Sequence, residues 1–398
     1  MFGVKDKNIL IASCVFPPEP VVSATISFDL ANHLAKDNTV TVISPKPTRP
    51  EGYNFDDNPV DKNREFKHVV VNSYTSAKSK IIPRFYESYS LGKHIAKYIK
   101  KNKGNIDVVY INSWPLASQY LIVKACKKLN IETVVHIQDI YPETLTNKLP
   151  VLKSFFHKLL LPLDKYILKN PRTVVTISSG MKKHLVDTRN LEEKSIKIVY
   201  NWQNTKKVAA ASKENEFFTY VYLGSLSPSA QIESIIEGFG ALNNSKAKLI
   251  IAGSGSDDEK LKKIAADYPD ANIEFTLAPS DKVAEIQAKA DVLVLSLREG
   301  VGKIALPSKL VSYMFSKKPI LAIVESDCDI EKIILDADCG WVVKQNQQED
   351  IKNKMAELIK TDPKILLEKG ERSEVYAIQN LSREVNLEKL SKIITNDL

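Results

Sequence analysis

The sequence predicts an α/β protein with two doubly wound domains, each a parallel sheet covered by helices on both faces. The chain has 398 residues, more than a single hydrophobic core usually organises. Short apolar runs alternate with helix-length amphipathic segments along almost the whole chain, an order typical of parallel sheets. The polar stretch 201–216 interrupts this alternation and is typical of a linker. We therefore expect two domains, 1–203 and 204–377, that face each other across a cleft.

Seven short apolar runs predict the strands of the first domain. They are 8–15, 39–44, 68–73, 106–112, 131–137, 173–177 and 196–201. Amphipathic segments between them predict helices near 23–35, 85–102, 116–129, 153–169 and 179–188. Because the runs are apolar at consecutive positions, both faces of the predicted sheet should be buried under helices.

The second domain repeats this order with six apolar runs and six helical segments. Strands are predicted at 217–224, 247–253, 271–276, 291–297, 318–324 and 340–343. Helices are predicted near 231–242, 257–267, 281–289, 308–316, 329–336 and 348–360. The last segment, about 371–398, is helical by pattern and has no strand of its own to cover. We expect its end, about 378–398, to pack back on the first domain.

Charge is divided unevenly along the chain. The net charge of +8 is 56 Lys and Arg less 48 Asp and Glu; residues 1–210 carry 32 against 18 (+14) and residues 211–398 carry 24 against 30 (−6). In the basic half, segments 78–103 and 153–169 combine lysines with aromatic and aliphatic side chains. Such helices can lie on anionic lipid, although a core-packed helix with a solvated lysine face is an equal alternative. No recognised motif supports nucleic acid as the anionic partner.

The cysteines and the apolar runs bear on location. Cys14, Cys126, Cys328 and Cys339 are too scattered for a disulfide framework or a zinc site, and suit a reducing cytoplasm. The run 8–15 is too short for the core of a signal peptide, and no run reaches the roughly 18 apolar residues that span a bilayer. We therefore expect a cytoplasmic protein that is soluble or peripheral on a membrane.

Two segments of the first domain place polar groups after predicted strands. Ser23 is a candidate N-cap of a helix whose free N–H groups could face an anion, although this segment alone favours an ordinary strand-to-helix turn. His136, Asp139, Tyr141 and Glu143 follow one strand within eight residues. Each could be structural alone, but ligands bind at the carboxyl ends of such strands, so the cluster favours a binding role.

Two glycine turns of the second domain have the form strand, turn, helix. Gly224 would let the backbone approach a ligand, and a helix expected to begin near Ser229 would direct its N-terminus at a phosphate. Gly253 and Gly255 form a similar turn. Acidic residues follow it and would repel phosphate, so this turn better suits a neutral base or a ribose.

The densest group of candidate residues lies between a predicted strand and a predicted helix. In order they are Arg298, Glu299, Gly300, Val301, Gly302, Lys303, Pro307, Ser308 and Lys309. Proline in the first helical turn, free N–H groups and three cations together predict a diphosphate cradle. The alternative is a run of solvated charges, which the glycines and the proline make less attractive.

Seven segments resemble glycosyltransferase family 4, in the family's order. They are the first-strand loop, 136–143, 173–185, 199–202, 222–228, 251–256 and 298–314. The resemblance implies the GT-B fold, with two Rossmann-like domains, and transfer of a sugar from a nucleotide donor with retention of configuration and without a bound metal or other cofactor. The segment 307–314 is similar to enzymes of bacterial capsule, O-antigen and exopolysaccharide assembly.

The resemblance also implies which residues act. The second domain would hold the nucleotide sugar, expected to be UDP-linked, and the first an undecaprenyl-diphosphate-linked saccharide at the inner face of the cell membrane. His136 and Glu299 match the family's residues beside the donor sugar. The donor-binding positions are Gly224, Ser225, Gly253, Arg298, Gly300, Val301, Gly302, Lys303, Ser308, Lys309, Leu310 and Ser312. The acceptor-side positions are Val22, Ser23, Asp139, Tyr141, Glu143 and Asn201.

This sequence departs from the family at several positions. Ser225 and Ala230 stand where many members have the Arg and Lys that hold the diphosphate, and Ser312 stands where a glutamate grips the ribose. The paired glycines of the first-domain loop are Val21 and Val22 here. Phosphate affinity would be lost with the two cations unless others replaced them.

We therefore expect Arg298, Lys303 or Lys309, with the helix start at Ser308, to hold the diphosphate. Cations and N–H groups there would stabilise the negative charge that develops on the leaving phosphate, and the acceptor would attack on the same face of the sugar. Two other functions stay open on the sequence. One is a nucleotide-sugar 2-epimerase of the same architecture, and the other is a non-catalytic nucleotide-sugar binder.

Overall fold

The computed structural model describes residues 7–49, 55, 64–76, 81–112, 116–146, 153–202, 216–279, 281–303 and 306–397. The chain divides into two compact units. Unit 1 comprises Met1–Asn201 and Asn386–Leu398, and unit 2 comprises Trp202–Val385. The boundary predicted after residue 203 lies two residues from this division. Most of the predicted linker, residues 203–215, lies outside the described residues.

Unit 1 contains a seven-stranded parallel sheet in the order β3-β2-β1-β4-β5-β6-β7. Its strands are β1 Asn8–Ser13, β2 Thr39–Pro45, β3 Lys67–Val71, β4 Val108–Asn112, β5 Glu132–Ile137, β6 Thr173–Thr176 and β7 Ile196–Ile198. Its helices are α1 Val22–Leu34, α2 Ile81–Lys101, α3 Ala117–Leu129, α4 Glu143–Thr146, α5 Lys153–Lys169 and α6 Ser179–Arg189. The strand order reverses between β1 and β4, which opens a crevice at their carboxyl ends.

Unit 2 contains a six-stranded parallel sheet in the order β10-β9-β8-β11-β12-β13. Its strands are β8 Phe218–Leu223, β9 Ala247–Ala252, β10 Ile273–Thr276, β11 Val292–Ser296, β12 Ile320–Ile323 and β13 Gly340–Val343. Its helices are α7 Glu233–Gly240, α8 Asp258–Ala266, α9 Val283–Ala288, α10 Ser308–Phe315, α11 Asp329–Asp336, α12 Gln348–Leu358 and α13 Pro363–Asn380. Here the order reverses between β8 and β11.

These two parallel sheets confirm the predicted fold class. The central strands β4 and β11 are buried at every residue, as their uninterrupted apolar sequences predict. Helix ends follow local chemistry: the Ser178 hydroxyl accepts from Met181 N at 3.0 Å at the start of α6, and Asn190 ends that helix in the left-handed region.

Three expectations about helices need correction. α7 begins at Glu233, so no helix begins near Ser229. Ser23 is not the N-cap of α1, because Val21 occupies that position in extended conformation and Ser23 lies within the first turn. The segment predicted as one terminal helix is divided, with α13 ending at Asn380 and α14 running from Arg383 to Thr395.

Helix α14 returns to unit 1 through contacts along its length. Arg172 donates to the carbonyls of Ile393 and Ile394 at 2.6 and 3.0 Å, and Tyr200 N donates to Asn386 Oδ1 at 3.0 Å. Residues 386–398 therefore belong to unit 1, whereas 378–385, which were predicted to pack there as well, belong to unit 2. Within the described ranges, no helix is both long enough and apolar enough to cross a bilayer. All four cysteines are buried free thiols.

Candidate functional site

A pocket of about 130 Å³ lies at the carboxyl ends of β1, β4 and β5, where the strand order of unit 1 reverses. We call it the unit 1 pocket. Four predicted residues line it: Ser23, His136, Asp139 and Tyr141. The other lining residues are Cys14, Val15, Val21, Arg49, Asn112, Gln119, Ile137 and Gln138. The crevice expected from the topology is therefore the place where three of the six acceptor-side candidates meet, together with His136.

His136 lines this pocket and has one buried ring nitrogen without a partner in the described residues. Its Nδ1 shares a hydrogen bond of 2.7 Å with the buried Tyr110 hydroxyl, while Nε2 is buried and has no hydrogen-bond partner among the described residues. Burial lowers the pKa of His136 to about 4, so the ring is neutral at pH 7. A neutral imidazole held at Nδ1 can offer Nε2 to a ligand as a single, oriented hydrogen-bonding group.

A chain of side-chain hydrogen bonds fixes the opposite wall of the pocket. Ser23 Oγ donates to Gln138 Oε1 at 2.8 Å, Gln138 Nε2 donates to Asn112 Oδ1 at 3.0 Å, and Asn112 Nδ2 donates to Ser27 Oγ at 2.9 Å. Ser23 thus ties α1 to the end of β5 rather than capping its own helix. Gln138 and Asn112 were not among the residues predicted from the sequence, although both stand at strand ends.

Arg49 is a third residue of this pocket that was not predicted from the sequence. Its guanidinium is buried beside the pocket and pairs with the buried Glu87, which Arg84 also contacts at 2.9 Å. Glu19 accepts from the backbone N–H groups of Thr48 and Arg49 at 2.9 and 3.0 Å. These charges neutralise one another inside unit 1, so they shape the wall of the pocket without leaving a large excess charge there.

Glu143 takes part in a different network. Its carboxylate accepts from Arg189 at 2.6 Å and lies 3.1 Å from His184 Nε2, and these partners hold its pKa well below the usual range despite partial burial. Arg189 also pairs with Asp164 at 2.7 Å, where burial raises the pKa of Asp164 to about 6. Glu143 does not line the unit 1 pocket, and its contacts join α4 to α5 and α6.

Two other acceptor-side candidates also lie outside the lining of the pocket. Val22 is the first residue of α1 and is exposed. Asn201 lies at the end of unit 1, where its Oδ1 is buried with no hydrogen-bond partner among the described residues.

In unit 2, the predicted glycine turns pack directly against each other. Gly224 and Gly253 both have φ in the left-handed half, at +148° and +153°. A Cβ on Gly253 would lie 1.9 Å from the Gly224 carbonyl oxygen, so only glycine fits there. Gly224 N donates to Ala252 O at 2.9 Å. The two turns therefore form one rigid backbone platform at the carboxyl ends of β8 and β9.

Lys309 places its ammonium group beside this platform. Its Nζ donates to the Tyr222 hydroxyl at 2.5 Å, lies 4.2 Å from the centre of the Tyr222 ring, and would be 3.0 Å from a Cβ on Gly224. In the described part of the chain, no carboxylate pairs with it. Burial lowers the pKa of Lys309 to about 8. A partly desolvated ammonium without a counterion is a strong site for an anion.

The start of α10 adds backbone donors next to Lys309. The helix begins at Ser308 with Pro307 as the N-cap, and no side chain caps it. Leu310 N donates to Pro307 O at 3.0 Å, whereas the N–H groups of Ser308 and Lys309 have no acceptor within the helix and lie at the positive end of its dipole. Ser308 is exposed and Leu310 is buried, so Ser308 and Lys309 are the members of this turn that can meet a ligand.

The turn from Arg298 to Lys303 faces an internal anion. Glu325 Oε1 accepts from Gly300 N at 3.0 Å and from Lys303 N at 3.1 Å, and Glu325 Oε2 lies 3.8 Å from Lys303 Nζ. The N–H groups of Gly300 and Lys303, two of the predicted donor-binding residues, are thus bound to a carboxylate of the same unit. Sequence reasoning missed Glu325, which follows the next strand of the sheet.

Arg298 and Glu299 line a larger, open cavity of about 690 Å³. Its wall is polar and consists of Gln231, Glu233, Ser234, Glu237, Arg298, Glu299, Asn346 and Gln348. Glu233 pairs with Lys260 at 2.5 Å. Both predicted residues are exposed, so Glu299 is accessible to a ligand in this cavity.

The positions that depart from the family have structural partners. Ala230 is buried in the core of unit 2, Ser312 Oγ accepts from Gln287 at 2.9 Å, and the exposed Ser225 accepts from the Tyr222 hydroxyl at 2.8 Å through its carbonyl. Tyr313 fixes α10, because its hydroxyl accepts from Leu223 N at 2.7 Å. Among the residues that the structure describes, no group of three His, Cys, Asp or Glu side chains could hold a metal ion.

Two family models match the chain. The model described as "Glycosyltransferase Family 4" matches residues 23–207, and that described as "Glycosyl transferases group 1" matches residues 203–385. A curated relative is the probable glycosyltransferase WbjE of Pseudomonas aeruginosa, 26% identical over 280 residues, which are 67% of this chain and 68% of WbjE.

Solved structures share the fold over nearly the whole chain. HepE from Anabaena, in complex with UDP, has a TM-score of 0.71 at 12% identity and covers 98% of this chain and 100% of its own. WaaG, a glycosyltransferase involved in lipopolysaccharide biosynthesis, has a TM-score of 0.64 at 15% identity and covers 97% of this chain and 99% of its own. At these identities the likeness establishes the arrangement of elements within each unit.

Proposed function

We propose that this chain transfers a sugar from a UDP-linked donor to a lipid-linked glycan. The premise is that the chain belongs to the family 4 glycosyltransferases of the GT-B fold. The observation that carries the proposal is the ammonium of Lys309, which has no acidic partner among the described residues and lies beside the Gly224 platform and the start of α10. These groups have the charge and geometry to hold a diphosphate. The complex of HepE with UDP supports the choice of nucleotide.

The proposed chemistry needs negative charge to be stabilised as the bond from the sugar to the diphosphate breaks. Lys309 and the first-turn N–H groups of α10 would stabilise it on the leaving phosphate. The exposed Glu299 would hold hydroxyl groups of the donor sugar. The acceptor would attack the sugar on the face that the diphosphate leaves, and this same-face attack retains the configuration. The leaving phosphate would take the proton of the acceptor hydroxyl. In this scheme, protein groups neutralise the diphosphate and no metal ion is required.

The proposed acceptor is an undecaprenyl-diphosphate-linked saccharide of bacterial surface polysaccharide assembly. WaaG acts in lipopolysaccharide biosynthesis, which is consistent with this role. The unit 1 pocket supplies oriented hydrogen-bonding groups, namely His136 Nε2 and the chain of Ser23, Gln138 and Asn112, as recognition of sugar hydroxyls requires.

We also propose that unit 1 contacts the anionic inner face of the cell membrane. Ile82 is 73% exposed and Tyr86 63% near the start of α2, and Phe155 is 60% and Leu159 57% exposed near the start of α5. Both helices pack against α3, and each leads into the next parallel strand, α2 into β4 and α5 into β6, so their N-termini point towards the carboxyl edge of the sheet. Exposed aromatic and aliphatic side chains among lysines suit insertion between lipid headgroups.

The test of the proposed reaction is acceptor-dependent release of nucleotide. The chain is incubated with a panel of nucleotide sugars, with and without an undecaprenyl-diphosphate-linked saccharide, and each reaction is repeated with EDTA. We expect one UDP-sugar to release UDP only when acceptor is present, at the same rate with EDTA.

Other outcomes would identify the alternatives. Epimerisation of the donor in the absence of acceptor would establish the 2-epimerase. Donor binding without turnover in either reaction would establish the non-catalytic binder. Loss of turnover with EDTA would contradict the metal-independent mechanism.

A further inference from the structure

Glu325 is a charged residue of unit 2 that no step of the proposed reaction uses. It lies two residues beyond β12, and its side chain is only 10% exposed. β12 pairs with β11 in parallel, with Ile323 opposite Ser296, so the loops that follow the two strands leave the sheet side by side. This register brings the Glu325 carboxylate to the Arg298–Lys303 turn.

One carboxylate oxygen closes this turn. Oε1 of Glu325 accepts from Gly300 N and Lys303 N, while Val301 N donates to the Arg298 carbonyl at 3.1 Å. Gly300 has φ of +84°, a conformation that favours glycine. The turn thus wraps around the carboxylate, and its shape depends on an acceptor at that point.

The fit around the carboxylate is close on its other side as well. A Cβ on Gly302 would lie 3.3 Å from Glu325 Oε1 and 3.3 Å from Cys328 Cβ. Lys303 balances the charge of Glu325 with its ammonium at 3.8 Å from Oε2. Lys303 therefore neutralises an internal acid, in contrast to Lys309, which has no acidic partner in the described residues.

We propose that Glu325 is a positioning residue for the transfer reaction, which fixes the Arg298–Lys303 turn and thereby directs Glu299 at the donor sugar. Glu299 directly precedes Gly300, whose N–H donates to Glu325. Without this hydrogen bond, the backbone that orients the Glu299 side chain would no longer be held in place. Glu325 itself does not touch the donor. This inference rests on the proposed function, because it assigns Glu299 to the sugar.

A competing account is that Glu325 occupies an anion site and leaves it when the diphosphate binds. The two accounts differ in what removal of the carboxylate does. If Glu325 positions the turn, its removal lowers turnover and leaves UDP affinity nearly unchanged, because UDP lacks the sugar that Glu299 contacts. If Glu325 competes with phosphate, its removal tightens UDP binding.

The test compares Glu325→Ala, Glu325→Gln and a control, Glu331→Ala. Glu331 Oε2 accepts from Asp327 N at 2.6 Å, so the control removes a carboxylate that holds a neighbouring backbone N–H outside this turn. Measurements are kcat and KM for the donor, UDP affinity by calorimetry, melting temperature, and hydrogen exchange of the peptide containing residues 298–303.

We expect Glu325→Ala to lower kcat about tenfold or more, since displacement of a reacting partner by about 1 Å can cost that much and more. The Gln variant should restore kcat to within about threefold of the wild type, because its amide oxygen still accepts both N–H groups. Hydrogen exchange of the turn should accelerate in the Ala variant only, and the control should match the wild type in kcat.

Three results would overturn the inference. One is a folded Glu325→Ala variant that matches the wild type in kcat, and another is a variant that binds UDP more tightly. The third is a wild-type chain that transfers no sugar, which would remove the proposed function as well. Hydrogen exchange of the peptide with residues 298–303 is measured without substrate. It therefore shows whether Glu325 fixes the turn even if the chain transfers no sugar.

Discussion

At the scale of single residues, Lys309 combines a cost to stability with a benefit to binding. Its ammonium is partly desolvated and hydrogen-bonds only to a neutral hydroxyl in the described structure, so burial lowers its pKa from 10.5 to about 8. The folded chain therefore binds this proton less tightly than the unfolded chain. The penalty to stability begins as pH falls through about 10.5 and is complete below about 8. Sites kept for function often carry such a cost.

Replacing Lys309 by methionine should therefore stabilise the protein at pH 7. For a unit of this size we expect the melting temperature to rise by about 2–4 °C, the shift that one kcal/mol produces. The gain should shrink as the pH is raised from 8 towards 10, where the lysine becomes neutral. Calorimetric melting over this pH range makes the comparison.

Lys344→Met is the matched control for this stability measurement. Lys344 is an exposed lysine of unit 2, so we expect the melting temperature of this variant to stay close to that of the wild type. A Lys309→Met protein that melted below the wild type would contradict this prediction. It would show that the contacts of the ammonium with Tyr222 stabilise the fold by more than its burial destabilises it.

Some residues of the candidate site could be predicted from the sequence and others could not. Lys309 could be selected because proline, serine and lysine open a helix directly after a glycine turn. Glu325 could not, because its partners Gly300 and Lys303 are 25 and 22 residues away and meet it only through the pairing of β11 with β12. Ser23 had the chemistry of an N-cap, but its hydroxyl bonds to Gln138 from another element.

At the scale of elements, the strands were the most predictable part of the molecule. β11 and β13 differ from their predicted ranges by at most one residue at each end, because parallel strands buried on both faces leave continuous apolar runs. Helix α5 has the predicted range 153–169. The break between α13 and α14 was missed, since amphipathic periodicity continues across it.

Helix α5 also carries a testable prediction about the membrane. The change of Phe155 and Leu159 to serine removes two exposed apolar side chains. Burial of each side chain in lipid stabilises binding by about 1.5–3 kcal/mol. We expect the wild type to float with anionic liposomes more than with neutral ones. The double variant should lower the fraction bound to anionic liposomes at least about tenfold, because two such losses exceed 1.4 kcal/mol.

The control for flotation is the change of Leu367 and Val375 to serine on α13 of unit 2. These side chains are 61% and 52% exposed, so solubility changes similarly while unit 1 is untouched. We expect this control to bind like the wild type. Equal recovery of the wild type from anionic and neutral liposomes would contradict the electrostatic part of the proposal.

At the scale of the whole molecule, the net charge of +8 conceals two different units. The first 210 residues carry +14, and the exposed apolar ends of α2 and α5 lie in that part of the chain. The rest carries −6, yet unit 2 is the one proposed to bind a diphosphate. An acidic unit needs local cations for that purpose. Since Lys303 is neutralised by Glu325, Lys309 is left as the main candidate at the glycine platform.

The most direct test of this account is calorimetric titration of UDP into the wild type, Lys309→Ala and Lys303→Ala at pH 7. A charge-assisted hydrogen bond contributes about 1.5–3 kcal/mol, so Lys309→Ala should weaken UDP at least about tenfold. Lys303→Ala should stay within about threefold of the wild type, because its charge is already balanced. Unchanged UDP affinity in Lys309→Ala would contradict the account.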